Sequence, residues 1–352
     1  MTMSNNFFPL SAEKLINRIN KIPKIKLAIL PTALEYLPNI SKELGINLYI
    51  KRDDCTALAF GGNKTRHLEF IMAKVKKGDY DCVLTGAASQ SNWCRQTVAA
   101  ANKLNLETYL VLMHGIKGSK MQGNFLLYNL MGANVDIVDC DNLEEIPMYL
   151  DKKYQQLIKE GKKPFLMKGG FDHEDTVLAA ISYANAMAEI DIQMKEHNFT
   201  ADHLFVTAAN MTQAGCDLGS KILGWPTRIQ GISPVYFEMN IRDDIARICN
   251  SAAKMLDLNL EFSSEMINND NNYVGEKYGV PTEEGILAMK LLAKKEGIIL
   301  DPVYTSKGFS ALIDYVKKGI IKKNENVIFI FTGGNPAVFA YEEEIINANK
   351  TF

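Results

Sequence analysis

The sequence predicts an α/β protein built on parallel sheets, because short β-rich apolar runs alternate with helix-period stretches along most of its 352 residues. Glycine and polar clusters lie at strand-to-helix turns, where open parallel sheets bind their ligands. No Pro/Ser-rich linker or repeat interrupts the chain. We therefore expect two open, twisted parallel-sheet domains with a ligand cleft between them.

Each predicted strand is a short run of apolar and β-branched residues, and each predicted helix has apolar residues at a 3.6-residue period. The predicted strands are residues 47–51, 82–85, 108–112, 135–138, 165–168, 204–206, 228–232 and 327–331. The predicted helices include residues 92–104, 143–160, 177–197, 243–256 and 283–295.

Composition excludes several classes of protein. The 39 Lys and Arg nearly balance the 41 Asp and Glu, so no strong electrostatic field attracts nucleic acid or an anionic membrane. No run of ~18 apolar residues predicts a membrane span, and the polar start of the chain does not resemble a secretion signal, so we expect a cytoplasmic protein. The six dispersed cysteines lack a CxxC pair and the five histidines lack HExxH spacing, so no metal site is predicted.

Lys64 is the sharpest candidate for chemistry. It follows Gly61, Gly62 and Asn63, which allow a tight turn and a close approach of the backbone to a planar ligand. A lysine partly desolvated at such a turn becomes a nucleophile that forms Schiff bases. The alternative is an ordinary solvent-exposed lysine.

Three further turns carry polar residues. Ser91 and Asn92 begin a helix after a strand, where they act as a plain N-cap or present a hydroxyl and an amide to a ligand. Residues 207–215 also lead from a strand into a helix, whose free N–H groups suit a phosphate. Tyr304 lies in a turn and either relays a proton or simply packs, and Thr332 begins a loop with two glycines.

Together these segments resemble the D-cysteine desulfhydrase and aminocyclopropane-carboxylate deaminase family of pyridoxal-phosphate enzymes, which is related in fold to the tryptophan synthase β-subunit. The likeness runs from about residue 30 to about residue 341. It depends on six motifs in order, at residues 51–54, 59–66, 90–92 with 95–96, 212–215, 301–304 and 332–334.

The resemblance implies that pyridoxal 5'-phosphate lies in the cleft between the two domains. It implies a larger cofactor-binding domain made of residues 1–66 and 176–352, and a smaller α/β domain inserted at residues 67–175. It also implies a homodimer with a small amino-acid substrate.

The resemblance assigns roles to individual residues. Lys64 becomes the Schiff-base lysine, Ser91 a catalytic hydroxyl, and Asn92 the partner of the cofactor's ring oxygen. Either Gln90 or the Ser91 backbone lies near the substrate carboxylate. The phosphate cup is formed by Ala209, Asn210, Met211, Thr212 and Gln213. Thr305 and Thr332 lie near the pyridine nitrogen of the cofactor. Tyr278 and the catalytic Tyr304 line the substrate pocket.

Some residues depart from the family pattern. Asn210, a residue that tolerates left-handed backbone angles, and Met211 replace small residues in the phosphate cup, and His67 replaces a lysine. We therefore expect lower phosphate affinity. Trp93 replaces a smaller polar residue and is expected to narrow the substrate pocket.

The reaction expected from the resemblance is α,β-elimination from a small β-substituted amino acid, with D-cysteine giving pyruvate, ammonia and hydrogen sulfide. Either Lys64 or Ser91 removes the Cα proton. The alternatives are ring opening of aminocyclopropane carboxylate, elimination of sulfite from cysteate, and a degenerate homologue that binds the cofactor without turnover. Thr305 and Thr332 favour the desulfhydrase, because the deaminases resemble one another in having Glu and Leu there.

Overall fold

The computed structural model describes residues 7–140, 142–168 and 173–348, and this part of the chain forms two sheets. The strands are β1 Leu34–Tyr36, β2 Asn47–Lys51, β3 Cys82–Ala88, β4 Glu107–Met113, β5 Asn134–Val138, β6 Pro164–Met167, β7 His203–Thr207, β8 Arg228–Ile232, β9 Asn269–Asp270 and β10 Asn326–Ile330. The six-stranded sheet has the order β1-β2-β10-β7-β8-β9, and the four-stranded sheet has the order β5-β4-β3-β6.

Helices cover both sheets. Within the described residues they are α1 Ala12–Ile19, α2 Pro38–Leu44, α3 Lys64–Lys77, α4 Asn92–Lys103, α5 Gly123–Leu130, α6 Ile146–Lys159, α7 Glu174–Glu196, α8 Met211–Leu223, α9 Ile241–Met255, α10 Glu283–Glu296, α11 Thr305–Lys317 and α12 Glu342–Asn347.

The predicted fold class is confirmed. Every predicted strand and helix corresponds to an observed one, and the bounds differ by no more than three residues. All pairings are parallel except that of β1 with β2. The sequence did not predict β1 or β9, because the three and two residues of these edge strands are too few to show a period.

The two sheets divide the chain between two domains. The four-stranded sheet uses only strands between residues 82 and 167, whereas the six-stranded sheet draws its strands from both sides of that segment. The predicted limits at 66/67 and 175/176 fall inside α3 and α7, two helices that pack on each other. The inserted-domain boundaries therefore stay a prediction.

A buried cluster of charges fixes α3 to the large sheet. The fully buried Arg66 forms ion pairs of 2.8 Å with Asp53 and with Glu189 on α7. The Tyr183 hydroxyl donates to Asp53 at 2.6 Å, and Lys51 contacts Glu189 at 3.2 Å. Burial alone raises the pKa of Asp53, but Arg66 holds that pKa below its usual value. The cluster therefore anchors the first turn of α3, which begins at Lys64.

Neighbouring parallel strands bring distant turns to one edge of the large sheet. β10 lies between β2 and β7, so the segments that follow these three strands meet at their carboxyl ends. In the described ranges, no helix combines the length and apolar character needed to cross a membrane.

Candidate active site

The loop before Lys64 has an unusual backbone. Ala59, Phe60, Gly61 and Gly62 have φ values of 44°, 69°, 68° and 124°, four successive residues in the left-handed region. Each non-glycine residue there costs of order 1–3 kcal/mol. A Cβ on Gly61 would lie 2.0 Å from the Asp54 carbonyl oxygen, so this position requires glycine. The strained loop, residues 59–62, therefore needs support from its surroundings.

The Lys64 amine lies at the start of α3, with its Nζ 5.5 Å from the ring centroid of Tyr304. Burial lowers its pKa to about 8, Asp301 opposes that shift, and the positive charge of Arg95 adds to it. Among the described residues, Nζ has no hydrogen-bond partner. Lys64 is therefore a partly deprotonated, uncommitted amine, as a Schiff-base nucleophile needs to be.

Asn92 presents an amide donor to a cavity that Tyr278 and Tyr304 also line. Its Oδ1 accepts from Arg95 Nη2 at 3.3 Å and from Asn124 Nδ2 at 2.9 Å. Its Nδ2 has no protein partner within the described ranges, and the residue lines the cavity. The carbonyl end of the amide is thus fixed, and the N–H end is free to donate to a ligand acceptor.

Ser91 is the N-cap of α4, and its Oγ accepts from the Cys94 amide at 3.2 Å. The Ser91 amide already donates to the Ala88 carbonyl at 3.0 Å. Gln90 donates to the Gln122 carbonyl and accepts from the Asn124 amide. Both groups expected near the substrate carboxylate are therefore at least partly occupied within the protein.

The segment 209–213 forms the start of α8. Within the helix the first bonded amide is that of Ala214, which donates to the Asn210 carbonyl, so the amides of Thr212 and Gln213 have no intrahelical partner. The Met211 amide donates to Asn210 Oδ1 at 2.6 Å, and Asn210 Nδ2 donates to Asp244 at 3.0 Å. Asn210 has φ of −147°, so it does not use the left-handed backbone angles that asparagine tolerates.

His67 lies behind this turn and is buried. The Ser182 hydroxyl donates its hydrogen bond to the Ala179 carbonyl, so it accepts from His67 Nδ1 at 2.9 Å. The other ring nitrogen of His67, Nε2, is therefore an acceptor. The Thr212 hydroxyl lies 3.2 Å from Nε2 and therefore donates to it. Burial and the charge of Lys64 lower the pKa of His67 to about 3. The neutral imidazole of His67 thus accepts the hydrogen bond of the Thr212 hydroxyl. Only the backbone amides of this turn are left as donors for an anion.

Tyr278 and Tyr304 both line the cavity, and their hydroxyl oxygens are 2.5 Å apart. Burial raises the pKa of both phenols, and that of Tyr304 rises well above its usual value. Both side chains therefore stay protonated at neutral pH. This pair can hold and deliver a proton close to Lys64.

Asp301 organises the start of α11. Its Oδ2 accepts from the amides of Val303 and Tyr304, and its Oδ1 accepts from the amide and hydroxyl of Thr305, all within 2.6–2.9 Å. The Thr305 hydroxyl is fully buried and its proton is committed to Asp301. The Thr332 hydroxyl has no bond to any described residue, and its carbonyl accepts from the Asn63 amide at 3.0 Å.

A cavity of about 600 Å³ lies beside these groups; Asn92 and Tyr304 line it, whereas Lys64, Thr332 and Trp93 do not. The Trp93 indole N–H donates to Thr85 at 3.0 Å, and its ring packs among apolar residues. The expectation that Trp93 narrows the pocket is therefore wrong. The Gln213 side chain also points elsewhere, since it bonds Asn268 and Asn269. The lining residues include Gln90, Asn92, Ala209, Tyr278, Asp301 and Tyr304.

Three positioning residues were absent from the predicted site. Asn124 on α5 is fully buried and ties Gln90 to Asn92, and Asn63 bonds Thr212 at 3.0 Å. Asp301 was noted only as part of a motif. A motif at residues 59–66 could have indicated Asn63, but nothing local to Asn124 indicates its role.

The residues present fit pyridoxal phosphate. The free amides of Thr212 and Gln213 begin α8 and can take a phosphate. Asn92 offers an amide donor with no protein partner, which suits the anionic ring oxygen. Lys64 supplies an amine whose pKa is lowered to about 8, so part of it is deprotonated at neutral pH. The fold and site together therefore define a pyridoxal-phosphate enzyme.

Similarity to known proteins gives the same assignment. Residues 25–333 match the family of pyridoxal-phosphate dependent enzymes, and the chain belongs to that family. It is 34% identical to the D-cysteine desulfhydrase of Klebsiella pneumoniae, over 94% of this chain and 99% of that protein. A crystal structure described as an ACC deaminase homologue is 33% identical, with a TM-score of 0.86 over 95% of this chain and 99% of that one. Threonine deaminase isoform 2 from Solanum lycopersicum, 18% identical with a TM-score of 0.65 over 99% of this chain and 92% of that one, shares the fold.

Proposed function

We propose that this enzyme is a lyase that eliminates a β-substituent from a small amino acid, with D-cysteine as the first choice of substrate. The observation that carries this proposal is the juxtaposition of the Lys64 amine and the Tyr304 ring, which lie 5.5 Å apart, with Tyr304 lining the cavity. One group is a base with its pKa lowered to about 8, and the other is a phenol that stays protonated. Elimination needs such a pair.

The protein's own residues divide the proton transfers. Lys64 would hold the cofactor, and its free amine would remove the proton from Cα of the substrate, a role for which Ser91 is the alternative. As the Cβ–S bond breaks, the electron pair leaves with sulfur, and Tyr304 supplies the proton for hydrogen sulfide. The released unsaturated amine hydrolyses in water to pyruvate and ammonia. When bound, the cofactor supplies the electron sink for the carbanion.

The start of α4 is the proposed site for the substrate carboxylate. The Ser91 amide is already bonded, and the first intrahelical bond is that of Arg95 to the Ser91 carbonyl. The amides of Asn92 and Trp93 are left for an anion, at the positive end of the helix dipole. The phosphate would be held in the same way by the start of α8.

Thr305 and Thr332 favour thiolate as the leaving group. A carboxylate near the pyridine nitrogen would deepen the electron sink, whereas a threonine hydroxyl gives a shallower one that suffices for thiolate. The proton of Thr305 is committed to Asp301, so Thr332 is the threonine with a free hydroxyl. A glutamate at position 305 would set a second carboxylate next to Asp301, at a site that is fully buried in this protein.

Substrate profiling tests the proposal. We expect D-cysteine to give pyruvate and sulfide with a kcat/KM at least tenfold above that for aminocyclopropane carboxylate, because about 1.4 kcal/mol of transition-state stabilisation suffices for that ratio. L-cysteine and cysteate complete the panel, with 2-oxobutyrate and sulfite measured as separate products. A preference for the cyclopropane substrate, or sulfite as the main product, would overturn the choice of D-cysteine.

Tyr304→Phe tests the proton donor. We expect kcat for D-cysteine to fall about 10²- to 10⁴-fold, because the phenol that protonates the leaving group is lost. Tyr315→Phe is the matched control, since its hydroxyl bonds Asp270 outside this cavity. Equal activity of the two variants would remove Tyr304 from the mechanism.

Assembly and compartment remain predictions. The resemblance predicts a homodimer, which light scattering of the purified protein tests directly. The expected compartment is the cytoplasm, which cell fractionation tests.

A further inference from the structure

Arg95 on α4 is a buried cation without a counter-charge. Its side chain is fully buried, and no Asp or Glu in residues 7–140, 142–168 or 173–348 forms an ion pair with it. Burial lowers its pKa only to about 10, so it is charged at neutral pH. Charged side chains are almost never fully buried unless paired, because desolvation is costly. A function for this charge is therefore needed.

The guanidinium closes the strained loop. Nη1 donates to the Ala59 carbonyl, and Nη2 donates to the Gly61 carbonyl at 3.1 Å. Both carbonyls belong to residues with positive φ, immediately before Asn63 and Lys64. A planar fork of donors suits two carbonyls of one tight loop in a way that a lysine ammonium does not.

The same guanidinium orients the amide of Asn92. Nη2 lies 3.3 Å from Asn92 Oδ1, which places the amide oxygen toward Arg95 and the amide nitrogen toward the cavity. Arg95 therefore contacts the residues that set the position of two groups, the Lys64 amine and the Asn92 amide.

We propose that Arg95 is a positioning residue for the cofactor site: it holds residues 59–62 so that the Lys64 amine lies beside the Tyr304 ring, and it fixes Asn92 as a donor. The inference rests on the proposed roles of Lys64 and Asn92. The positive charge of Arg95 also disfavours the ammonium form of Lys64. The other titratable groups facing that amine are Asp301, Tyr304 and His67.

Two variants separate geometry from charge. In Arg95→Met we expect the pH for half-maximal reductive methylation of Lys64 in cofactor-stripped protein to rise by about one unit, because a neighbouring positive charge is lost. We expect the dissociation constant for pyridoxal phosphate to rise roughly tenfold to a hundredfold, because the amine and amide are misplaced. Arg95→Lys keeps the charge, so its methylation midpoint should stay near that of the wild type while the dissociation constant rises.

Val98→Ala is the matched control, because it shortens a fully buried side chain on the same helix that does not line the cavity. It should lower stability without moving the methylation midpoint or the cofactor affinity. Wild-type values for both readouts in Arg95→Met, or equal shifts in Val98→Ala, would overturn the proposal. If Arg95→Met does not fold, wild-type affinity in Arg95→Lys overturns it. Neither readout depends on which amino acid is the substrate, so the two proposals fail separately.

Discussion

Lys64→Ala should abolish the covalent attachment of the cofactor and lower kcat/KM about 10²- to 10⁴-fold or more. The reason is that Lys64 combines an uncommitted amine with a pKa lowered to about 8 by burial. Wild-type protein loaded with pyridoxal phosphate should be yellow, and borohydride should fix the cofactor to the peptide that contains Lys64. Mass spectrometry of the digested protein provides the measurement.

Lys307 is the natural control for this experiment. Burial lowers its pKa to about 8 as well, but its amine donates to the Val274 carbonyl at 2.6 Å. An adduct on Lys307 in place of Lys64 would refute the assignment and the mechanism built on it. The rate of cofactor capture should rise with pH through about 8 and then level, because only the deprotonated Lys64 amine attacks a carbonyl.

Arg66→Met should lower the free energy of unfolding by about 3–5 kcal/mol. Arg66 balances the buried carboxylates of Asp53 and Glu189, so its removal leaves them with Lys51 as the only cation among their described ion-pair partners. Urea denaturation at pH 7 measures the change as a lower midpoint with an unchanged m value.

Lys318→Met is the matched control for Arg66→Met. Lys318 pairs with Asp314 at 2.6 Å, and its side chain is 60% exposed. Its loss should cost about 1 kcal/mol or less. Equal losses in the two variants would mean that the buried cluster is no more important than a surface ion pair.

The strands could be predicted from sequence because their apolar runs are confined to short segments, and residues 47–51 and 228–232 agree at both ends. The start of α4 shows the limit for the site. Its glycine and cap signals located Ser91 and Asn92, but sequence spacing does not give the direction of each side chain. Successive residues of a helix point about 100° apart, so Asn92 faces the cavity while Trp93 packs on the other side.

Long-range contacts explain what the sequence could not provide. Asn124 reaches Asn92 across 32 residues, and Arg95 reaches Ala59 across 36. Neither pair has a local signature, because each depends on how α4 packs against other elements. The Thr305 hydroxyl gives a third example, since its engagement with Asp301 depends on the geometry of one turn.

The central place of β10 in the large sheet has a consequence for the timing of folding during synthesis. Residues 326–330 emerge from the ribosome after β2 and β7, yet they form the only link between those strands in the described sheet. Until then the nascent chain holds two separate strand groups, β1-β2 and β7-β8-β9, each with an unpaired edge. The loop with Gly333 is also missing at that stage. A ribosome-bound chain is therefore unable to assemble the cofactor site until nearly all of the protein has been made.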